Sequence, residues 1–242
     1  MALVPLEKTL FARLIDHAPL FPPARLPLPE ALEDHRRARE GPHGWIVRRF
    51  VVPASVLGRL DGEAVALSVV RDADFDHADV RIEAVEVPPN EHVESEAGET
   101  YVEVDPELAS GLVEELARNG ARLKLRCGPA VPSVEALAAA IRACTEQSLP
   151  FKATAGLHHA VRQDGQHGFV NLLAAAVFDD EEAALSEEEP SAFRVEGDAF
   201  RWRDRTASAA EIERARELFV AFGSCSFDEP VDDLRALGLL AA

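Results

Sequence analysis

ARLKLRCGPAVPSVEALAAAIRACTEQSLPFKATAGLHH, residues 121–159, decides the fold. It opens on a run of strand length, 121–127, in which charged and apolar residues alternate. Gly128, Pro129 and Pro132 break that run, and Ser133 then stands where a helix cap belongs. Val134, Leu137, Ile141 and Cys144 follow at helical spacing, and a second run of strand length occupies 150–155. Two strands joined through one helix by short connections form a βαβ unit, whose strands run parallel with a right-handed crossover.

The same alternation extends both ways. On the C-terminal side a polar loop leads into a helix from about 168 to 178, and the acidic stretch 179–190 reads as a solvated linker. Residues 193–203 alternate around Gly197-Asp198 as a β-hairpin does. Ser208-Ala-Ala-Glu211 is a capping box, 219–225 a last strand, and 230–237 a final helix stopped by Gly238. On the N-terminal side Asp105 caps a helix beginning at Pro106, with Leu108, Leu112 and Leu116 on one face and Gly120 at its end. Four Val- and Ile-rich runs precede it, at 45–52, 64–70, 80–87 and 100–104. A polar loop at 71–79 and an acidic, exposed stretch at 91–99 connect them.

Residues 1–43 read differently. Leu6, Leu10, Leu14 and Ile15 fall at helical spacing, five prolines between Pro19 and Pro29 stiffen the chain, and a second helix covers 29–40. This predicts a helical, Pro-rich arm that covers the end or outside of a βα body spanning 44–242, all in one domain. Seven or eight strands, depending on whether the hairpin joins them, favour an α/β fold of (β/α) barrel type, TIM-barrel-like. The alternative is an open, doubly wound sheet. The span between Val70 and Val80 is too short for a crossover helix, so the barrel is expected to be incomplete or distorted. No G-x-G-x-x-G follows the first strand, which removes the usual dinucleotide reading.

Composition excludes several classes. At net charge −18 the 242-residue chain is a poor candidate for nucleic acid or an anionic membrane surface, both of which need clustered Lys and Arg. Three cysteines without a C-x-x-C pair predict reduced thiols and no structural zinc. No leader-like or bilayer-length apolar segment is present in the sequence, and a cytoplasmic location is the expectation.

Strand alternation then groups the charged residues. Lys124 and Arg126 share one face of their strand, Lys152 and Thr154 one face of the next, and Tyr101, Glu103 and Asp105 one face of the strand before. Strands covered by helices should be apolar on both faces. In a barrel the exception is the interior near the C-terminal mouth, where catalytic residues collect. Lys152 among cationic neighbours and apolar walls is expected to favour its amine form. Past Lys152, His158, His159, Arg162 and His167 supply acid/base and anion-binding groups, and the backbone amides of Gly156 and of the helix start near Gly168 can hold an anion. Ser224 and Ser226 end the last strand at the same mouth. Cys225 between them is a conceivable nucleophile without a base nearby in sequence.

Four segments, LIDHAPLFPP (14–23), FKATAGLHH (151–159), HGFVN (167–171) and FGSCSF (222–227), resemble those of a family of uncharacterised bacterial proteins. The resemblance implies a shared fold and a shared site, Asn171 included, and brings no activity with it.

The expected function is an enzyme acting on a small anionic substrate, with carbon–carbon lyase chemistry through a Schiff base as its most concrete form. Lys152 is assigned as amine nucleophile or electrostatic catalyst, His158 or His159 as acid/base, and Glu103 as a further catalytic carboxylate. Lys124 and Arg126 hold the anion, and Thr154, Arg162, His167, Asn171, Ser224 and Ser226 contact substrate. No cofactor is expected. The alternatives are metal-assisted isomerase or hydrolase chemistry, with His158, His159 and Glu86 or Glu103 as ligands, and a non-catalytic barrel that binds a ligand or partner. A homo-oligomer is compatible with either.

Overall fold

The computed structural model describes residues 5–60, 65–75, 80–89 and 98–241. Parts of the loop expected at 71–79 and of the acidic stretch expected at 91–99 (76–79 and 91–97) lie outside the described residues, as does residue 64 at the start of one expected strand. In chain order the elements are α1 (Leu6–Phe11), β1 (Ile15–His17), α2 (Leu28–Glu40), β2 (Val47–Pro53), β3 (Leu67–Val70), β4 (Ile82–Val87) and β5 (Glu99–Val104). Then come α3 (Pro106–Ala109), α4 (Val113–Arg118), β6 (Arg122–Arg126), α5 (Val134–Glu146), β7 (Phe151–Thr154), α6 (Phe169–Phe178) and α7 (Glu181–Leu185). The chain ends with β8 (Phe193–Glu196), β9 (Ala199–Trp202), β10 (Arg205–Ser208), α8 (Ala209–Leu218), β11 (Phe219–Ser224) and α9 (Asp228–Ala236).

Eight of these strands close a parallel barrel in the order β1-β11-β7-β6-β5-β4-β3-β2. The fold is therefore an α/β barrel of the TIM type, and it closes despite the short β3–β4 connection. The strand that completes it corrects the sequence reading of residues 1–43. Far from being only a cover, that segment supplies β1, which pairs with β11 on one side and β2 on the other. Without these three residues β2 and β11 would be open edges, each with unpaired amides and carbonyls.

The expected hairpin is instead the first part of a three-stranded antiparallel sheet, β10-β9-β8, outside the barrel. It packs on α6, where the Phe178 ring lies 5.6 Å from Phe200 and 5.7 Å from Trp202. The segment 179–190 is also not a solvated linker. It contains α7, its Ala184 and Leu185 are wholly buried, and even two of its acidic residues, Glu181 and Glu187, are buried. Buried Glu187 in the same stretch accepts from Trp202 Nε1 at 3.2 Å and from Arg203 Nε at 2.6 Å. The helix expected after Asp105 breaks into α3 and α4, which leaves Leu108 64% exposed.

Two caps form as their chemistry predicts. Ser133 accepts from the Ala136 amide at α5, and Ser208 and Glu211 form a reciprocal capping box at α8. The apolar core lies between the barrel's outer face and the helices, with Phe151 against Phe219 (5.4 Å) and Phe169 against Phe222 (4.5 Å). Each such side chain contributes about 1.5–3 kcal/mol by leaving water. The barrel interior is built from charges instead. Among the described residues, no helix is long and apolar enough to cross a membrane.

Candidate active site

A cavity of about 790 Å³ opens at the C-terminal ends of the barrel strands. Its floor is a ladder of alternating charges contributed by five strands. Asp16 Oδ2 accepts from Lys152 Nζ at 2.9 Å, and Lys152 Nζ meets Glu86 Oε1 at 2.5 Å. Glu86 Oε2 meets Lys124 Nζ at 2.5 Å, Lys124 Nζ meets Glu103 Oε2 at 2.5 Å, and Glu103 Oε1 accepts from Arg126. The registry of the sheet makes this possible, since Glu103 lies opposite Lys124, and Lys124 opposite Lys152. Ser68 on β3 completes the deep end, donating to Glu86 Oε1 at 2.6 Å and accepting from Lys152 at 3.3 Å.

Tyr101 forms the next layer down. Its ring lies 4.5 Å from Lys152 Nζ, a cation–π contact. Its hydroxyl donates to Glu99 Oε2 at 2.9 Å. Glu99 also holds Arg48, Arg49 and Arg122 at 3.0, 2.7 and 2.7 Å, closing the N-terminal end of the barrel.

This environment overturns the expectation for Lys152. Lys124 is a cationic neighbour across Glu86, but the groups in direct contact with Lys152 Nζ are the carboxylates of Asp16 and Glu86 and the Ser68 hydroxyl. Burial alone would lower its pKa, but Asp16 and then Glu86 outweigh burial and raise it to about 12. Burial would push the Glu86 carboxyl up, yet Lys124 and Lys152 hold it well below the usual carboxylate range. Glu103 is lowered for the same reason, with burial outweighed by Lys124 and Arg126. The three N–H bonds of the Lys152 ammonium are all committed, to Asp16, Ser68 and Glu86. Lys124 has two partners among the described residues, Glu86 and Glu103, and also borders the cavity.

Of the residues singled out from sequence, Lys152, Glu103, Lys124, Arg126, Thr154, His158 and Ser224 border the cavity. Five others do not. His159 faces Asp233 of α9 at 3.4 Å, because consecutive residues in the loop point in opposite directions. His167 is buried, within hydrogen-bond distance of the Pro132 carbonyl at 2.9 Å, and burial lowers its pKa. Arg162 turns to His167 and Glu188. Asn171, wholly buried, accepts from the Arg162 amide and donates to the Ala184 and Glu187 carbonyls, so it clamps the loop to α7. Ser226 accepts from the Glu229 amide at the start of α9.

The anion site expected at the start of α6 is also spent, since the Phe169 and Val170 amides donate to the His159 and Ala160 carbonyls. Gly156 does border the cavity, at φ +68°, and a Cβ there would lie 2.7 Å from the Cys127 carbonyl oxygen. Only glycine lets the β7 exit pass this close to the β6 exit.

Three cavity residues with polar side chains were not assigned a role in the sequence reading: Asp16, Arg25 and Gln166. Glu86 had been considered only as a metal ligand. Asp16 was hidden in a segment read as helix, and Arg25 in the Pro-rich crossing. Cys225 borders the cavity too, and burial raises its thiol pKa, which disfavours the thiolate a nucleophile needs. Among the described residues no group of three or more His, Cys, Asp or Glu is arranged to hold a metal ion.

No protein-family model matches the chain, and no curated protein matches it. Among solved structures the chain is similar to the tetrameric deoxyribose phosphate aldolase from Aeropyrum pernix, at 14% identity and a TM-score of 0.41, over 97% of this chain and 94% of that one. The barrel assignment rests on the strand pairing, which stands without this likeness.

Proposed function

We propose that the protein is an enzyme acting on a small anionic carbonyl compound, and that it makes or breaks a carbon–carbon bond with Lys124 as the amine nucleophile. The observation that carries this reading is the pair of lysines sharing Glu86. Lys152 has every N–H committed and its pKa raised to about 12, so it is a fixed positive charge. Lys124 keeps one bonding direction and borders the cavity.

In this scheme the Lys124 ammonium first gives up a proton to water in the cavity that it borders. The amine nitrogen attacks the substrate carbonyl carbon, water leaves, and an iminium forms. The iminium then accepts the electron pair of the carbon–carbon bond. Lys152 beside it stabilises negative charge that develops on oxygen.

An anionic substrate is supported by the balance of charge at the cavity. Four cations (Arg25, Lys124, Arg126 and Lys152) stand against three carboxylates (Asp16, Glu86 and Glu103), whereas the chain as a whole carries −18. A cavity above the paired network also argues against a barrel that only fills its interior.

The test is borohydride trapping with a panel of small aldehydes, ketones and oxo-acids, read by peptide mass spectrometry. A reduced adduct on Lys124, lost in Lys124→Met, is the expected outcome. An adduct on Lys152, or none with any compound, overturns the assignment.

A further inference from the structure

The lysines say how a carbonyl would be engaged; Asp16 says what must stand beside that carbonyl. This inference rests on the proposed reading of the site. Asp16 is 0% exposed and borders the cavity. Its Oδ2 accepts from Lys152, but its Oδ1, equally buried, has no hydrogen-bond partner among the described residues. Natural interiors leave few buried polar atoms unpaired, and a charged one carries a larger penalty than a neutral one.

Buried Arg48 and Arg49 offset the Asp16 charge, but no neighbour among the described residues donates a hydrogen bond to Oδ1. Gly223, opposite it on β11, has no side chain to donate, and Arg49, opposite it on β2, is engaged by Glu83 and Glu99. The Asp16 side chain as a whole borders the cavity. A carboxylate oxygen accepts only, so it calls for a donor on the ligand. A phosphate or carboxylate is repelled there, whereas a hydroxyl fits.

The anionic end of a ligand has a different place, at the rim. Arg25 is exposed, borders the cavity, and has no side-chain partner among the described residues. Its backbone is held at φ 47°, an uncommon conformation for a residue with a side chain. Arg126 borders the same cavity with its side chain 44% exposed, tied to Glu103 and the Gly128 carbonyl.

We infer that the substrate is a small hydroxylated carbonyl compound with a terminal anion, phosphate or carboxylate. A hydroxyl near the reacting carbonyl donates to Asp16 Oδ1, and the anion meets Arg25 and Arg126. On cleavage the O–H bond of that hydroxyl breaks and its proton passes to Asp16. Its electron pair becomes the new C=O bond, and the pair of the adjacent carbon–carbon bond moves to the iminium on Lys124, giving an enamine.

Isothermal titration calorimetry with paired probes that lack a reactive carbonyl tests the subsite apart from the chemistry. The pairs are glycerol 3-phosphate with n-propyl phosphate, and glycerate with propionate. In at least one pair the hydroxylated member is expected to bind about tenfold more tightly, a difference of about 1.4 kcal/mol. The pair that shows it identifies the anion. Asp16→Asn, which puts an amide in place of the second acceptor oxygen, is expected to remove the preference, read as the ratio of the two affinities within each pair.

Equal affinities within both pairs, binding of neither hydroxylated probe at millimolar concentration, or a preference retained in Asp16→Asn overturns the inference. If the variant does not fold, the wild-type pairs decide alone. A Lys124 adduct without a hydroxyl preference removes this inference and keeps the lysine assignment; a preference without any adduct does the reverse.

Discussion

Replacing Glu86 by Gln removes one negative charge from between two buried ammonium groups and barely changes the volume. Glu86 is 3% exposed and binds Lys124 and Lys152 on different oxygens, each at 2.5 Å. Two contacts of that length across one carboxylate put the ammonium nitrogens no more than about 7 Å apart, a separation at which they repel by at least about 2 kcal/mol at an effective dielectric of 20. Breaking a buried pair by removing one partner costs about 3–5 kcal/mol. Urea denaturation at pH 7 should therefore find Glu86→Gln less stable than wild type by about 3–5 kcal/mol.

The pH dependence supplies the sharper check. In wild type the Lys152 pKa is raised from 10.5 to about 12, so its contribution of about 2 kcal/mol is present below pH 10.5 and lost as pH rises through 12. In Glu86→Gln the sign reverses for one member of the lysine pair. Its folded pKa falls below the unfolded value, and loss of its proton relieves repulsion. The gap between wild type and variant should then narrow as pH rises from 7 towards 10. A variant as stable as wild type at pH 7, or a gap that does not change with pH, would refute the ladder as the organising feature of the interior.

Two further outcomes follow from groups outside the cavity. Burial lowers His17 to about 4 and, helped by the His17 and Arg39 charges, His35 to about 3, and their Nδ1 atoms lie 3.4 Å apart. Both should be neutral at pH 7, so wild-type stability falls as pH drops below 6.5, where the unfolded chain takes up protons first. His35→Phe should flatten that acid limb in a pH series of thermal melts, while losing about 1–3 kcal/mol at pH 7 from the unpaired His17 nitrogen; an unchanged acid limb would count against it. Asn171→Ala removes three buried hydrogen bonds and should cost about 3 kcal/mol or more in denaturation, with borohydride trapping at Lys124 preserved in the folded protein; loss of trapping at full stability would show that Asn171 contacts substrate after all.

Much of the fold was legible from local chemistry. Seven barrel strands are runs of Val, Ile, Leu and Phe closed off by turn residues, and Ser133 and Ser208 announce their helices through hydrogen bonds within a single turn. The eighth strand was not legible. Ile15–His17 has three residues, too few to show a period of two, and Leu10, Leu14 and Ile15 beside it fall at helical spacing. It is a strand because β11 and β2 each offer it an unpaired edge.

The site divides the same way. Alternation along single strands was enough to put Glu103, Lys124, Arg126 and Lys152 on one wall, because side-chain direction follows from the pleat alone. The proton state of Lys152 was out of reach, since the carboxylates that raise its pKa are 136 residues away at Asp16 and 66 at Glu86. Charge–charge interaction depends on distance through space, and barrel closure is what makes those distances short. By itself the sequence determined which residues line the wall from 103 to 154. Only the tertiary structure decided that carboxylates from β1 and β4 face them, and with that which lysine has every N–H bond committed and which keeps one free beside the cavity.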